Sequence, residues 1–241
     1  VFISSGNHDS AERLAFGSRL MEGSGIHIQP VYDGQITPHS LGNVDIYMLP
    51  FLKPAHVRRF FPEETIESYT DALRVAISHI QLTPGRIHIL MTHQFVTGAS
   101  RCDSEEISVG GTDNVDASVF EGFDYVALGH IHKPQVIAPH IRYSGSPVKY
   151  SFGTEEKQTK GVVLVDTDTM EQKFIPFVPL RDRKTVEGTY DELIQRTDLQ
   201  GDYLRLRVTD RFAGLELQAE MRQRFPYMLE ISGMSLSENE S

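Results

Sequence analysis

The sequence has little cysteine, no tryptophan and no long apolar run. Its 241 residues include a single cysteine, Cys102. One cysteine excludes an internal disulfide and is typical of a reducing compartment, so a cytoplasmic location is expected. No run approaches the roughly 18 consecutive apolar residues of a membrane-spanning helix, and no basic-then-apolar start indicates a signal peptide. No membrane partner is therefore expected.

Positive charge is also scarce. The chain has 23 Lys and Arg residues against 33 Asp and Glu residues, for a formal net charge of −10. This balance argues against a simple basic DNA-binding module. It does not exclude a metal-dependent enzyme that acts on a polyanion, because bound divalent cations would reverse the local charge. The two basic clusters, Arg58-Arg59 and Arg181-Asp182-Arg183-Lys184, are interpreted as solvated faces.

The order of apolar patterns predicts an α/β fold. The clearest helix spans residues 64–82, where apolar residues recur with the period of one buried face. A strand at 87–91 follows, as in a layered α/β sheet. Later strand-like segments predict a second, more antiparallel sheet; they are residues 136–138, 141–143, 162–166 and 173–178. The predicted domains are residues 1–178 and a small α+β domain at 179–241.

Three predicted strands each end in a polar cluster. Gly6-Asn7-His8-Asp9 follows residues 1–5, Thr92-His93-Gln94 follows residues 87–91, and Gly129-His130-Ile131-His132 follows residues 123–128. Ligands of open α/β sheets bind beyond the carboxyl ends of the strands. The pattern therefore predicts that one rim holds Asn7, His8, His93, His130 and His132. Imidazole and carboxamide groups are ligands for Mn, Fe or Zn.

Each cluster also has a purely structural interpretation. Asn, Asp and Gly favour turns, so residues 6–9 alone are better explained as a turn and helix cap. A functional role would give His8 the task of protonating a leaving oxygen, while Asp9 would fix the His8 tautomer or cap the next helix. A lone His93 is more often structural. His130 and His132 lie two residues apart, so an extended segment turns both to one side, which favours metal ligands.

The start of the chain predicts a fragment. Val1 is not a methionine, and it lies within a strand-like apolar run. We interpret the chain as lacking an N-terminal part, which would leave an edge of the first strand unpaired. Unpaired edges join other chains, so a homodimer through this edge is a hypothesis.

These motifs resemble those of the calcineurin-like metallophosphoesterases. Longer strings are similar to the bacterial SbcD nuclease subunits within that family; they are Ser108–Asp113, Phe120–Gln135 and Tyr143–Phe152. The resemblance implies a β-sandwich flanked by helices, here lacking its N-terminal part, followed by a capping domain. It also implies an ATP-dependent exonuclease and hairpin endonuclease that acts on double-stranded and hairpin DNA with an SbcC-type ATPase subunit, in DNA repair, recombination and replication.

The resemblance also implies a site with two divalent metals, with manganese as the expected metal. Asn7, His93 and His130 would bind one metal and His132 the other. His8 would be the catalytic histidine, with Asp9 beside it.

The family carries an Asp-x-His motif and a Gly-Asp motif before this site, and neither precedes Gly6 here. The fragment is therefore expected to be inactive and to hold one weakly bound metal or none. Two alternatives stay open. One is a metallophosphoesterase that acts on another phosphoester, and the other is a metal-free scaffold that binds a partner.

Overall fold

A computed structural model describes residues 1–105 and 113–234. Its contacts form two compact units. The first is Val1–Ser146 with Gly161–Pro176, and the second is Pro147–Lys160 with the chain from Phe177 onward. Residues 147–160 thus group with the second unit, while the division of domains at 178/179 stays a prediction. In the described ranges, no helix has the length and apolar character needed to cross a membrane.

Fifteen strands and six α-helices are seen in the described residues. The strands are β1 (Phe2–Ser4), β2 (His27–Gln29), β3 (His39–Leu41), β4 (Val44–Leu49), β5 (Ile87–His93), β6 (Phe95–Val96), β7 (Asn114–Val115), β8 (Tyr125–Gly129), β9 (Gln135–Ala138), β10 (Ile141–Tyr143), β11 (Gly161–Val165), β12 (Gln172–Pro176), β13 (Arg183–Gly188), β14 (Tyr203–Val208) and β15 (Met228–Ser232). The helices are α1 (Ala11–Ala15), α2 (Ser18–Glu22), α3 (Pro54–Arg58), α4 (Tyr69–Ser78), α5 (Tyr190–Ile194) and α6 (Leu215–Arg224). Short 3₁₀ turns cover Ala117–Phe120 and Thr154–Lys157.

A six-stranded mixed sheet forms the centre of the first unit. Its order is β3-β4-β5-β8-β10-β9. The strands β4, β5, β8 and β10 are parallel, and β3 and β9 are antiparallel edges. The carboxyl ends of β4, β5 and β8 therefore meet at one edge. The predicted α/β class is confirmed, whereas the sandwich of the metallophosphoesterases stays a prediction.

Helix α4 packs its apolar face into the core of the first unit. Ala72, Leu73 and Ala76 are buried in one cluster with Leu90 of β5 and Val126 of β8. The helix is shorter than the predicted 64–82. It begins after Ser68, whose hydroxyl accepts a hydrogen bond from the Asp71 amide at 3.1 Å. This capping box fixes the start because it satisfies amide groups that have no partner within the helix.

The predicted second sheet is only partly correct. Strands β11 and β12 do form a separate antiparallel pair. Strands β9 and β10 instead extend the main sheet, with β10 parallel to β8. Ile141 and Tyr143 of β10 are both buried, and the Tyr143 hydroxyl donates to the Gln94 carbonyl at 2.6 Å. Burial of these side chains in the main core explains why β10 joins it.

The second unit has a core of its own. Strands β13, β14 and β15 form a parallel sheet, with α5 and α6 between successive strands. Leu204 and Leu206 of β14 pack in one cluster with Leu217 and Met221 of α6. This alternation of strand and helix is the pattern of a parallel sheet rather than the expected α+β arrangement.

Candidate metal-binding site at the strand ends

The structure brings three strand ends to one place. His93 ends β5 and lies opposite Gly129 of the neighbouring parallel strand β8. His130 follows directly, so its ring centroid is 5.2 Å from that of His93. The chain after β1 reaches the same edge because the Phe51 amide, after β4, donates to the Ser5 carbonyl at 3.0 Å.

Asn7 joins the two histidines. Its side-chain oxygen Oδ1 lies 3.0 Å from His93 Nε2 and 3.2 Å from His130 Nδ1. These residues are 86 and 123 positions apart in the sequence. One carboxamide and two imidazoles from three strand ends therefore form a compact cluster, which we call the Asn7 cluster.

Two glycines make room for the His93 ring. A Cβ atom at Gly6 would lie 2.6 Å from His93 Cε1, and one at Gly129 would lie 2.8 Å from His93 Nδ1. Both distances are shorter than a non-bonded contact allows, so any larger residue would displace the ring. The glycines of Gly6-Asn7 and Gly129-His130 thus serve the packing of the cluster as well as the turns.

The Asn7 cluster fits a divalent metal. An ion that binds ligands at about 2.1 Å has neighbouring ligands about 3.0 Å apart when they lie at right angles. The separations of 3.0 and 3.2 Å between the Asn7 oxygen and the two histidine nitrogens match that spacing. The donor set of two imidazole nitrogens and one amide oxygen is of the kind that Mn, Fe or Zn accepts.

His130 carries two marks of a functional residue. Its backbone φ is 101°, a conformation that is unusual for a residue with a side chain. Its Nε2 atom is buried and has no hydrogen-bond partner among the described residues. Strain and an unsatisfied polar atom both cost stability, and both are common at ligand sites.

Both histidines of the cluster are neutral at pH 7. Burial, with a smaller contribution from the neighbouring His130, lowers the pKa of His93 to about 4. Burial also lowers the pKa of His130 to about 4, with a further contribution from the Arg101 guanidinium. Metal ligation requires neutral imidazole, so the cluster is ready to bind a cation without losing a proton.

His8 and Asp9 lie beside the cluster and are exposed. His8 makes no hydrogen bond in the described part of the chain, although its charge acts on the pKa of both His93 and His130. Asp9 Oδ2 accepts a hydrogen bond from the Gly6 amide at 2.6 Å. Asp9 therefore closes the turn that presents Asn7, while Ser10 is the residue before helix α1.

His132 is held at several points by other residues. Ser104 Oγ lies 2.8 Å from His132 Nδ1, and the His132 amide donates to the Glu105 carboxylate. The other Glu105 oxygen accepts from the Cys102 amide at 2.7 Å, and the His132 carbonyl accepts from the Ser146 amide at 3.0 Å. The charge of His132 acts on the pKa of both cluster histidines.

Sequence reasoning missed Ser104 and Glu105. They lie in a Gly-, Ser- and acid-rich segment without periodicity, so only their position in a long loop signalled a role. The nearby Arg101 was missed too. It forms a double hydrogen bond with Asp113 at 3.0 Å and lies 3.8 Å above the centre of the Phe95 ring.

A cavity of about 490 Å³ opens next to Asn7. Asn7 and Asp9 line it together with Lys53 and Arg59. Arg58 of the same basic pair has a structural task instead, because its Nε donates to the Ile66 carbonyl at 2.7 Å. The cavity provides space for a substrate beside the cluster.

The predicted site is not a cluster of three or more histidines, cysteines and carboxylates in the described residues. Among residues 1–105 and 113–234, no group of three or more His, Cys, Asp or Glu side chains is placed to hold a metal ion, and the Asn7 cluster itself contains two imidazoles and one carboxamide. The first of the strings that resemble the family, Ser108–Asp113, lies outside the described residues except for Asp113.

Comparison with known proteins identifies relatives along the whole chain. No family model matches it. It is 33% identical over 250 positions to the SbcD subunit of nuclease SbcCD from Staphylococcus saprophyticus, an alignment that covers all of this chain and 66% of the relative. It is 30% identical over 251 positions to the protein of the same name from Staphylococcus epidermidis, of which 67% is covered. The chain thus spans about two thirds of the length of these curated relatives.

Proposed function

Because this chain belongs to the family of SbcD subunits of the nuclease SbcCD, we propose that it forms part of a metal-dependent DNA nuclease subunit. Its reaction is the hydrolysis of phosphodiester bonds in double-stranded and hairpin DNA. Its partner is an ATPase subunit of the SbcC type, which makes the cleavage ATP-dependent. Repair, recombination and replication of DNA are the processes that such an activity serves.

The observation that carries the proposal is the position of the Asn7 oxygen within 3.2 Å of nitrogen atoms of both His93 and His130. A structural explanation would leave these groups satisfied by the protein alone. Instead, the Nε2 atom of His130 is buried without a hydrogen-bond partner in the described residues, and its backbone is strained. Strained residues and unsatisfied buried polar atoms cluster at active and ligand-binding sites.

Asn7, His93 and His130 would hold one divalent metal in this chain, and manganese is the metal that we propose. Divalent metals, when bound, polarise a phosphate oxygen and lower the pKa of water. The neutral state of His93 and His130 at pH 7 keeps their nitrogen lone pairs available. His132 would belong to a second metal, with Ser104 and Glu105 fixing its ring and its backbone.

The exposed His8 is proposed as the proton donor to the leaving oxygen. Its ring is free to approach a phosphodiester because no hydrogen bond within the described residues fixes it. Asp9 would act indirectly, since its bond to the Gly6 amide at 2.6 Å keeps Asn7 and His8 on one tight turn. General acid catalysis of this kind contributes about 10² to 10⁴ in rate.

This chain alone is proposed to be inactive, because no Asp-x-His or Gly-Asp motif precedes Gly6. The test compares the 241 residues with a hybrid in which an upstream segment of the Staphylococcus epidermidis relative, chosen to contain both motifs, precedes Val1. Each is given manganese and either a hairpin or a linear duplex. We expect cleavage by the hybrid only.

Substitutions in the hybrid then identify the site. His8→Ala is expected to lower the rate by about 10² or more, while His79→Ala on the exposed end of α4 serves as the control. Cleavage by the unextended chain would contradict its proposed inactivity. A hybrid that cleaves DNA equally well with His130→Ala would contradict the site. A hybrid that hydrolyses only a phosphomonoester would favour the other phosphoesterase.

A homodimer is proposed through the edge of β1. This strand pairs with β2 on one side, and no strand among the described residues pairs with its other side. Such edges are templates for pairing with another chain. Light scattering tests the proposal, with a dimer as the expected result and a monodisperse monomer as the contrary one.

A further inference from the structure

The second unit contains a cavity that the proposed nuclease site does not use. Its volume is about 530 Å³, within the range of roughly 300–1,000 Å³ that is common for small-molecule sites. Its walls come from the segments 147–150, 158–160 and 181–183, together with Phe177, Pro179 and Tyr203. All of these residues belong to the same compact unit.

Two of the four cations that line this cavity are neutralised. Lys149 Nζ lies 2.7 Å from the Asp182 carboxylate. Lys160 Nζ lies 2.8 Å from the carboxylate of Glu155, and both side chains are almost fully buried. Each lysine is therefore paired with a carboxylate, and the two ion pairs add no net charge to the cavity wall.

The other two cations, Arg181 and Arg183, form no ion pair within the described residues. Aromatic rings hold them instead. Arg181 lies 4.0 Å above the Tyr227 ring and donates to the Tyr227 hydroxyl at 2.7 Å. Arg183 lies 4.9 Å from the centre of the Phe152 ring. Two positive charges are thus fixed in place without a carboxylate, in a chain whose net charge is −10.

The same cavity exposes aromatic surface. Tyr150, Phe177 and Tyr203 line it with relative exposures of 54%, 42% and 37%. Aromatic rings left open to water next to cations favour a ligand with a flat apolar part and a negative group. Nucleotides have this combination, because a base stacks on an aromatic ring while its phosphate pairs with arginine.

We infer that this cavity binds an unpaired nucleotide, with the phosphate at Arg181 and Arg183 and the base against Tyr150 or Tyr203. The choice of a nucleotide over another aromatic anion rests on the proposed nuclease function. An end or a loop of DNA would supply such a nucleotide, and so would a free mononucleotide. A peptide with acidic and aromatic residues has related chemistry, and the test below separates it.

Binding is measured on the 241-residue chain by titrating four probes. The probes are a short oligothymidylate, thymidine monophosphate, inorganic phosphate and an oligoglutamate peptide. The readout is the NMR shift of tyrosine ring protons, with dye-labelled oligothymidylate anisotropy as the second measure. We expect oligothymidylate to shift the ring signals of Tyr150 and Tyr203, and thymidine monophosphate to shift the same signals at higher concentration.

Variants assign the contacts. Arg181→Ala and Arg183→Ala are each expected to weaken oligothymidylate binding about fivefold to tenfold, and to reduce the slope of log K against log salt by about 0.7, the value for one single-strand phosphate. Arg196→Ala removes the same charge from an exposed site in the same unit and is expected to change binding less than about twofold. Tyr203→Ala is expected to weaken binding about fivefold or more, whereas Tyr203→Phe keeps it, since the ring does the stacking.

If Arg181→Ala fails to fold, Arg181→Lys keeps the charge, and Arg183→Gln tests the second cation. Equal losses for Arg181, Arg183 and Arg196 variants would overturn the inference, because they would indicate a general charge effect. A stronger response to oligoglutamate than to oligothymidylate would overturn it in favour of a peptide partner. Manganese binding at the Asn7 cluster is measured in the same samples, so failure of this cavity is distinguished from failure of the nuclease proposal.

Discussion

Two histidines at opposite ends of strand β5 differ in the hydrogen-bond partners of their ring nitrogens. His88, near the start of the strand, is buried, with Nε2 3.0 Å from the Thr83 carbonyl and Nδ1 3.4 Å from the Tyr47 hydroxyl. His93, at the other end, meets the Asn7 oxygen. The partners of His88 complete the fold, while the partner of His93 is a group that can itself bind a cation. Histidine type alone therefore says little, and the chemistry of the partners separates the two roles.

The largest expected effect is a loss of stability in acid, because acid protonates the two histidines of the Asn7 cluster. The pKa of His93 and of His130 is about 4 in the folded chain, below the ordinary value of about 6.5. Between these values the unfolded chain binds more protons, so the free energy of unfolding falls as pH falls. From pH 7 to pH 5 we expect protonation of the pair to lower the free energy of unfolding by about 4 kcal/mol.

Urea unfolding at the two pH values measures this loss. His93→Asn removes one of the two titrating groups. The free energy of unfolding of this variant should therefore fall between the two pH values by about half as much as that of the parent. His79→Asn, at an exposed position outside the cluster, is the control. A His93→Asn protein with the full dependence of the parent would show that the cluster is not the acid-sensitive element.

Among the substitutions, the largest effect is expected on manganese affinity. It should differ between variants at the two ends of β5. His93→Ala removes a ligand and is expected to weaken manganese binding by about 100-fold, or about 2.7 kcal/mol. His88→Ala, on the same strand, should leave the affinity unchanged if the protein is folded. Isothermal titration with manganese measures both, and equal effects would erase the distinction.

For stability, His88→Ala should have the larger effect and His93→Ala the smaller one. His88→Ala deprives the Thr83 carbonyl and the Tyr47 hydroxyl of a partner inside the core, so we expect it to lower the free energy of unfolding by about 2 kcal/mol at pH 7. His93→Ala should cost less, because its partner Asn7 is only partly buried. Denaturant unfolding without metal decides between them. A larger loss for His93→Ala would mean that it, too, is mainly structural.

A substitution that touches no ligand atom should still weaken the site. An alanine Cβ at Gly129 would lie 2.8 Å from His93 Nδ1, so Gly129→Ala must displace the ring. We expect about tenfold weaker manganese binding, as for changes around a ligand. Gly23→Ala is the control, since nothing lies within 4 Å of its Cβ position and its φ of −61° suits alanine. Similar affinities for both variants would contradict the tight packing of His93.

The smallest effect is expected at Ser104. Its hydroxyl lies 2.8 Å from His132 Nδ1, and a hydrogen bond at one ring nitrogen influences which of the two nitrogens holds the proton. Ser104→Ala should change the ¹⁵N shifts of the His132 ring, and Ser104→Thr should restore them. Ser100→Ala, on the same segment, is the control because the hydrogen bonds seen for Ser100 use its backbone. Unchanged shifts in Ser104→Ala would show that the contact does not set the tautomer.

The sequence predicted some of these features because they depend on local order. Helix–strand alternation gave the α/β class, and parallel strands necessarily bring His93 and His130 to one edge. Other contacts join residues that are distant in the sequence. Glu105 meets the His132 amide across 27 positions, and Ser104 meets the His132 ring across 28 positions. No periodic pattern encodes such a contact. The parallel placement of β10 was missed for the same reason, since burial of Tyr143 in the main core decides it.

The most direct test of the account is a manganese titration followed by NMR of the imidazole groups. Manganese broadens signals near its binding site. The account predicts that the ring signals of His93 and His130 broaden first, together with the side-chain amide of Asn7, while those of His88 and His79 persist. Broadening of His88 or His79 at the same manganese concentration, or no selective broadening of His93 and His130, would contradict a metal site at the ends of β1, β5 and β8.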